Sequence, residues 1–401
     1  MSKLNVALLG AGIFATEGKY TASIAHPHVP AILKASSTIS LVAIYSRSPS
    51  SVEKLVSSDA LSSLSQDARD NIKQYSGDNG LQELLKRDDI HAVVVALPIS
   101  KQPEIILQCL KAGKHVLSEK PIGKDLKTAH ELINQYEKDF APKGLVWRVA
   151  ENFAHEPGIL RASEIIANGS GPLGPVLFYD LKMVIHVASG KKYHATEWRN
   201  VPDYQGGFLL DGCVHAAAAL RVVAADAKPS QVVAFKSLNR THVGPHDTIV
   251  AIASNPSLTT SPHGPEFPQP TIAPQGIGKS MPTGTITFSF ANPRTPDFRP
   301  PSLTVTCVNG VVRLEGGKDW TVKVETEDEA VQKSVGAAAS AQGQAFPSSG
   351  VEEEVAQFAR AVLKQGDKVN RAEPRAALWD LALLEGCLTS DGNLVDLTKL
   401  V

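Results

Sequence analysis

The stretch Asn5-Val6-Ala7-Leu8-Leu9-Gly10-Ala11-Gly12-Ile13-Phe14-Ala15 decides the fold. Its apolar run ends in G-A-G-x-x-A, and a continuous apolar run is how a buried parallel strand reads. Gly10 permits a tight turn, and Gly12 lets the main chain approach a pyrophosphate. Ala15 lets the next helix pack close to the strand. That helix start offers free N–H groups and a positive dipole end to phosphates. Strand, glycine turn and helix together form the Rossmann dinucleotide fingerprint.

Working outward, strand and helix patterns alternate to about residue 150. Ile39 to Tyr45, Ala92 to Leu97 and Lys114 to Ser118 read as strands; Glu104 to Ala112 and Leu126 to Asp139 carry helical spacing. Such alternation implies right-handed βαβ units and a parallel sheet. Ligands on these sheets lie at the carboxyl ends of the strands. The end of the second strand selects the cofactor. An NAD enzyme places Asp or Glu there for the ribose 2′-hydroxyl. This chain has Tyr45-Ser46-Arg47-Ser48. Arg47 can pair with a 2′-phosphate, and Ser46 and Ser48 can donate to it. A charge-assisted bond contributes about 1.5–3 kcal/mol, or a roughly 10- to 100-fold preference for NADP. Glu17 to His28 reads as extra loop before the next helix. Pro27 between His26 and His28, with no Cys or acid ligands nearby, favours loop histidines over a metal site, and none is expected.

Composition sets the outer limits. The chain has 401 residues, 43% hydrophobic and 20% charged, with a formal net charge of −1. That is an ordinary globular composition of about two domains. The near-zero charge argues against nucleic acid or an anionic membrane as the main partner. The four cysteines, Cys109, Cys213, Cys307 and Cys387, form no C-x-x-C and read as buried thiols in a reducing compartment. No apolar run approaches the roughly 18 residues of a membrane span. No secretory signal is evident, so a cytoplasmic location is expected.

The second half, residues 151–401, reads as α+β. Pro175 to Val187, Gln231 to Leu238, Thr248 to Ala253, Gly284 to Phe290, Leu303 to Val308, Val311 to Leu314 and Trp320 to Glu325 are strand-like. Consecutive strands without helices between them imply an antiparallel meander. The Pro/Ser/Thr-rich stretch 255–282 reads as a surface loop, and 332–349 as a mobile low-complexity linker. Val351 to Leu363 and Pro374 to Leu388 are amphipathic helices. Two motifs carry chemistry: Ser118-Glu119-Lys120-Pro121-Ile122 after a strand, and Gly206-Gly207-Phe208-Leu209-Leu210-Asp211-Gly212-Cys213-Val214-His215. Asp211 and His215 are four apart and share a face if the stretch is helical. In so apolar a run, unpaired polar groups would be costly, which points to a pocket. Lys120-Pro121 is a candidate cis bond.

These residues resemble the glucose–fructose oxidoreductase / inositol dehydrogenase / MocA-like (Gfo/Idh/MocA) family over nearly the whole chain. The matching pieces are G-A-G-I-F-A, V-V-V-A-L-P at Val93–Pro98, A-G-K-H-V-L-S-E-K-P-I at Ala112–Ile122, A-E-N-F at Ala150–Phe153, and G-G-F-L-L-D-G-C-V-H. Tyr193, Trp198-Arg199 and the last block look especially like the family's fungal NADP-dependent branch. The resemblance implies a Rossmann domain, 1–150, followed by a mostly antiparallel open sheet that carries the substrate pocket and a homo-oligomer interface. It implies Lys120, Asp211 and His215 as the catalytic set. In that reading His215 takes the hydroxyl proton, Lys120 polarises the oxygen, and Asp211 orients the substrate or His215. Tyr193 joins these three as a substrate contact. The expected cofactor contacts are Gly10, Gly12, Ile13, Phe14, Ser46, Arg47, Ser48, Leu97, Pro98, Gln102, Glu119, Lys120, Asn152, Trp198 and Arg199. Trp198 and Arg199 are equally readable as structural. Gln102 stands where members often carry Asn or His, and Ala216-Ala217-Ala218 departs from the usual pattern after the histidine. The implied function is NADP-dependent oxidation or reduction of a polyol, sugar or related hydroxyl/carbonyl compound. The alternatives are a non-catalytic NADP-sensing regulator and a dihydrodiol- or biliverdin-type reductase.

Overall fold

The computed structural model describes residues 3–12, 28–190, 201–204, 206–264, 278–295, 300–365 and 371–401. Six parallel strands form the first sheet: β1 (Leu4–Leu9), β2 (Ile39–Ser46), β3 (Lys73–Ser76), β4 (Ala92–Val95), β5 (His115–Glu119) and β6 (Trp147–Ala150). Their spatial order is β3-β2-β1-β4-β5-β6. Every residue of β4 is buried, as its A-V-V-V run requires. The strand order reverses between β1 and β4, so the crevice at the Gly10 turn is a topological switch point. The edge strand β3, K-Q-Y-S, escaped the sequence reading because it is polar and half exposed.

The second sheet has nine strands: β7 (Val176–Val184), β8 (Gln231–Ser237), β9 (Thr248–Ser254), β10 (Thr283–Ser289), β11 (Ser302–Cys307), β12 (Gly310–Glu315), β13 (Asp319–Glu325), β14 (Gln344–Pro347) and β15 (Val395–Asp396). Their order is β14-β13-β12-β11-β7-β10-β9-β8-β15. It is mostly antiparallel, but it is not one meander. β7 is inserted between two meanders and runs parallel to β10, with Thr283 opposite Phe178. Side chains alternate along these strands: in β9, Ile249, Ala251 and Ala253 are buried while Val250 and Ile252 face solvent.

Three helices cover the inner face, Pro157–Ile166, Gly207–Ala224 and Pro374–Ser390. The Gly207–Ala224 helix corrects one expectation. Together with the turn to Ala227 it is long and apolar enough to cross a membrane, yet most of its apolar stretch is buried inside the protein. Asp211, Gly212 and His215 interrupt the run, which is why it did not read as one. Its apolarity belongs to a helix buried on most sides: Ala216 to Ala219 are all buried.

The stretch 332–349 is not a mobile linker. Glu329–Val335 is a helix whose start is capped by Asp328, which accepts from the N–H groups of Ala330 and Val331. Val331, Val335 and Ala338 are buried, and β14 pairs with β13. Small residues hid a helix whose apolar anchors are only Val331 and Val335. The stretch 255–282 closes on itself, since Thr260 and Ser280 exchange main-chain hydrogen bonds of 2.8 and 2.9 Å. The chain also returns to the first domain. Val351, Val355, Phe358 and Ala359 of the Gly350–Val362 helix share a core with Leu8, Ile44, Val94 and Leu117 of the parallel sheet. Residues 151–401 are therefore not wholly separate from the Rossmann half.

Candidate active site

The crevice begins at the turn after β1. Gly10 has φ +115°, and a Cβ there would sit 2.1 Å from the Ala96 carbonyl oxygen. Only glycine fits. Gly12 differs: among the described residues a Cβ there would meet no atom within 4 Å. Leu97 and Pro98 follow β4 beside this turn, with Leu97 Cδ2 3.3 Å from the Gly10 Cβ position. Gln102, at the start of the Gln102–Lys111 helix, is 2% exposed. Neither atom of its side-chain amide has a hydrogen-bond partner. A buried unpaired amide is costly unless a ligand satisfies it. The glycine turn and the unsatisfied Gln102 amide fit a dinucleotide carrying phosphate and carboxamide groups.

At the end of β2, Ser46 is half-buried and Arg47 exposed. Ser48 caps the Pro49–Val56 helix: its Oγ accepts from the Ser51 N–H at 3.4 Å and lies 2.6 Å from Ser50 Oγ. That hydroxyl is already engaged within the turn.

The polar cluster lies where β5 and β6 end against the Gly207–Ala224 helix. Lys120 follows β5, and its peptide bond to Pro121 is cis. Its Nζ donates to Asp211 twice, to Oδ1 at 3.0 Å and to the main-chain oxygen at 2.8 Å. Glu151 follows β6, and its Oε1 lies 2.7 Å from His215 Nδ1. The Phe153 N–H also donates to Glu151 Oε1 at 3.1 Å. The Phe153 ring stacks on the imidazole, 4.8 Å between centroids. Two neighbouring strand ends thus each hold one residue of a single helical turn. Lys120 meets Asp211 and Glu151 meets His215, so the pairing differs from the expected one. Asp211 is engaged by Lys120, and Glu151, not Asp211, holds His215. Burial alone would push the Glu151 carboxyl up, but the His215 ring, Lys120 and the Phe153 N–H hold it below its usual range.

Glu151 is the residue that sequence reasoning missed. The signal was present in Ala150-Glu151-Asn152-Phe153: a charged residue directly after a buried strand, matching Lys120 after β5. The neighbouring Asn152, the expected cofactor contact, donates its amide to Glu156 Oε1 at 3.3 Å. Glu119 Oε1 lies 2.6 Å from His28 Nε2, and its Oε2 accepts from the Lys120 N–H at 3.2 Å. His28 is accordingly not a loop histidine. It is fully buried at the start of the His28–Lys34 helix. His26, Ile13, Phe14, Tyr193, Trp198 and Arg199 lie outside the described residues.

Burial surrounds the cluster with shifted groups. Glu354, in the Gly350–Val362 helix, is pushed well above the carboxylate range by burial and then by Glu119, Glu151 and Glu156. Asp380 is pushed up to about 6 by burial, against the pull of Arg221, which donates to both its oxygens. His155 is pushed down to about 3 by burial, then by Arg371 and Arg221. Cys213 lies near the site, but burial raises its thiol well above the usual value and leaves it unreactive.

A switch-point glycine turn and an ammonium–imidazole–carboxylate cluster facing the same strand ends define a nucleotide-dependent oxidoreductase. The chain belongs to the Gfo/Idh/MocA family: residues 4–140 match its model, described as an oxidoreductase family with an NAD-binding Rossmann fold. Dehydrogenase FPY6 of Fusarium mangiferae is 33% identical over 401 residues, covering 98% of both chains. 1,5-anhydro-D-fructose reductase of Ensifer adhaerens is 29% identical over 171 residues, 40% of this chain and 47% of that protein. The crystal structure of an oxidoreductase from Thermotoga maritima superposes over the full length of both chains, with a TM-score of 0.74 and 23% identity.

Proposed function

We propose that the protein transfers a hydride between NADP(H) and a CH–OH or carbonyl carbon of a polyol, sugar or related compound. The observation that carries this reading is that Lys120, at the end of β5, meets Asp211 while Glu151, at the end of β6, meets His215 one helical turn further on. When bound, the cofactor supplies the hydride acceptor or donor; the chain must supply position and proton transfer. In oxidation the hydroxyl proton passes to His215, an imidazole that can accept at one ring nitrogen while donating at the other. Lys120 has three ammonium donors and spends two on Asp211, leaving one for the substrate oxygen. Asp211 aims that ammonium and balances its charge. In reduction the same proton returns from His215 to the nascent alkoxide.

NADP is favoured over NAD by Arg47 at the end of β2 and by the lack of an acidic residue in Ser46-Arg47-Ser48. A sugar-like substrate is supported by the polar donor set and by the relative that acts on an anhydro-sugar. The four cysteines are free and buried, which supports a reducing, cytoplasmic location. A homo-oligomer through the nine-stranded sheet is supported by its outer face. There Phe178, Phe235 and Ile252 are 54%, 68% and 66% exposed, and Val250 stands opposite Phe235. Size-exclusion with light scattering tests this: Phe235→Lys with Ile252→Lys should yield monomers, and an unchanged mass would reject this face.

The test of the function is NADPH oxidation and NADP+ reduction against a panel of aldoses, ketoses and polyols. Turnover of at least one supports the enzyme reading. NADPH binding without turnover of any would replace it with the sensor reading.

A further inference from the structure

We propose that Glu151 is the positioning residue of His215: it fixes the ring as the Nδ1–H tautomer and leaves Nε2 as the nitrogen that exchanges a proton in the crevice. The inference rests on His215 being the acid–base group.

The argument begins with the geometry. Glu151 Oε1 and His215 Nδ1 are 2.7 Å apart, and the two side chains are 3% and 15% exposed. An ionised carboxylate only accepts, so Nδ1 must carry the proton. Among the described residues Nε2 has no protein partner, which leaves it for a ligand. The ring cannot flip without giving up the carboxylate, because Phe153 stacks against its face and the Phe153 N–H anchors the same Glu151 oxygen. The Glu151 carboxylate also holds an imidazolium once His215 has taken a proton. The hydroxyl proton goes to Nε2 and the Nδ1–H stays shared with Glu151, so nothing else need move.

Other charged groups face this pair from every side. Lys120 lies at the end of β5, Asp211 and Arg221 on the same helix as His215, and His155 in the turn after β6. Asp380 comes from the Pro374–Ser390 helix and Glu354 from the Gly350–Val362 helix. Glu151→Gln leaves all of them in place and keeps the side-chain shape. It therefore isolates the carboxylate charge.

The test is nitrogen NMR of the full-length protein with 15N-labelled histidine, which needs no substrate. In the native protein the neutral His215 should show Nδ1 protonated and Nε2 bare. Glu151→Gln should lower the His215 titration midpoint by about one pH unit or more, the usual effect of removing an opposite charge at contact. An Nε2–H tautomer in the native protein overturns the proposal whatever the variant does. So does a midpoint that moves by less than about a third of a unit. On any substrate found, Glu151→Gln should slow turnover in the native background but change it less than about twofold beside His215→Ala. An equal loss in both backgrounds would make Glu151 merely structural. If His215 proves dispensable to turnover while the NMR result stands, the proposed function fails and the pairing survives.

Discussion

Lys120 Nζ donates to both the carboxylate and the main-chain oxygen of Asp211, across 91 positions of sequence. This contact joins the cofactor half to the Gly207–Ala224 helix and fixes the direction of the one remaining ammonium donor. Removing a preorganised donor to a developing oxyanion costs about 10²–10³ in turnover. Lys120→Met should therefore slow kcat by about that factor while the NADPH dissociation constant stays within about threefold. Fluorescence titration beside steady-state kinetics separates the two. A variant that loses both equally would place Lys120 in cofactor binding alone.

The two glycines of the first turn make opposite predictions. A Cβ on Gly10 collides with the Ala96 carbonyl at 2.1 Å, whereas among the described residues one on Gly12 meets nothing. Gly10→Ala should lower the melting temperature by several degrees, since strain of this kind costs about 1–3 kcal/mol. Gly12→Val should abolish NADPH binding, since its side chain would stand where the pyrophosphate approaches the main chain. A Gly12→Val protein that still bound NADPH would move the cofactor elsewhere.

Cofactor choice is tested at Arg47. Its exposure means that removing it costs the fold little. Arg47→Ala should weaken NADP(H) binding by about tenfold or more, the worth of one charge-assisted bond. NAD(H) binding should stay nearly unchanged. Equal losses for both would make Arg47 structural.

Glu354 supplies a pH prediction. Burial, followed by the neighbouring carboxylates, raises its carboxyl well above the ordinary value of 4.5. Between the unfolded and folded values the native state holds the extra proton, so stability falls as pH rises through that interval. Glu354→Gln removes the titration. Its melting temperature relative to the native protein should improve by about 2 °C or more between about pH 5 and about pH 8. A difference that is flat or reversed across that range would show that Glu354 is already ionised.

The legible parts of the chain were those governed by local rules. The β1 turn, the buried β4 run and the fourfold spacing of Asp211 and His215 all depend on neighbours within a few residues. Glu151 was not legible as the partner of His215, because that pairing requires β5 and β6 to lie side by side. The insertion of β7 between β10 and β11 is likewise a long-range event. So is the return of Val351 and Phe358 to the first sheet, since an amphipathic helix does not announce which apolar surface it will cover. The Ala/Ser/Gly stretch around 336–343 read as a linker because small residues pack without leaving a periodic signal.

The central claim is that His215 exchanges the substrate proton at a site that binds NADP(H) independently of it. The direct measurement is the kcat of His215→Ala for NADPH turnover on a substrate of the native protein, taken together with its NADPH dissociation constant. The account predicts a loss of about 10²–10⁴ in kcat, the worth of a general acid–base, with cofactor affinity within about twofold of native. A loss of kcat under about threefold would contradict it.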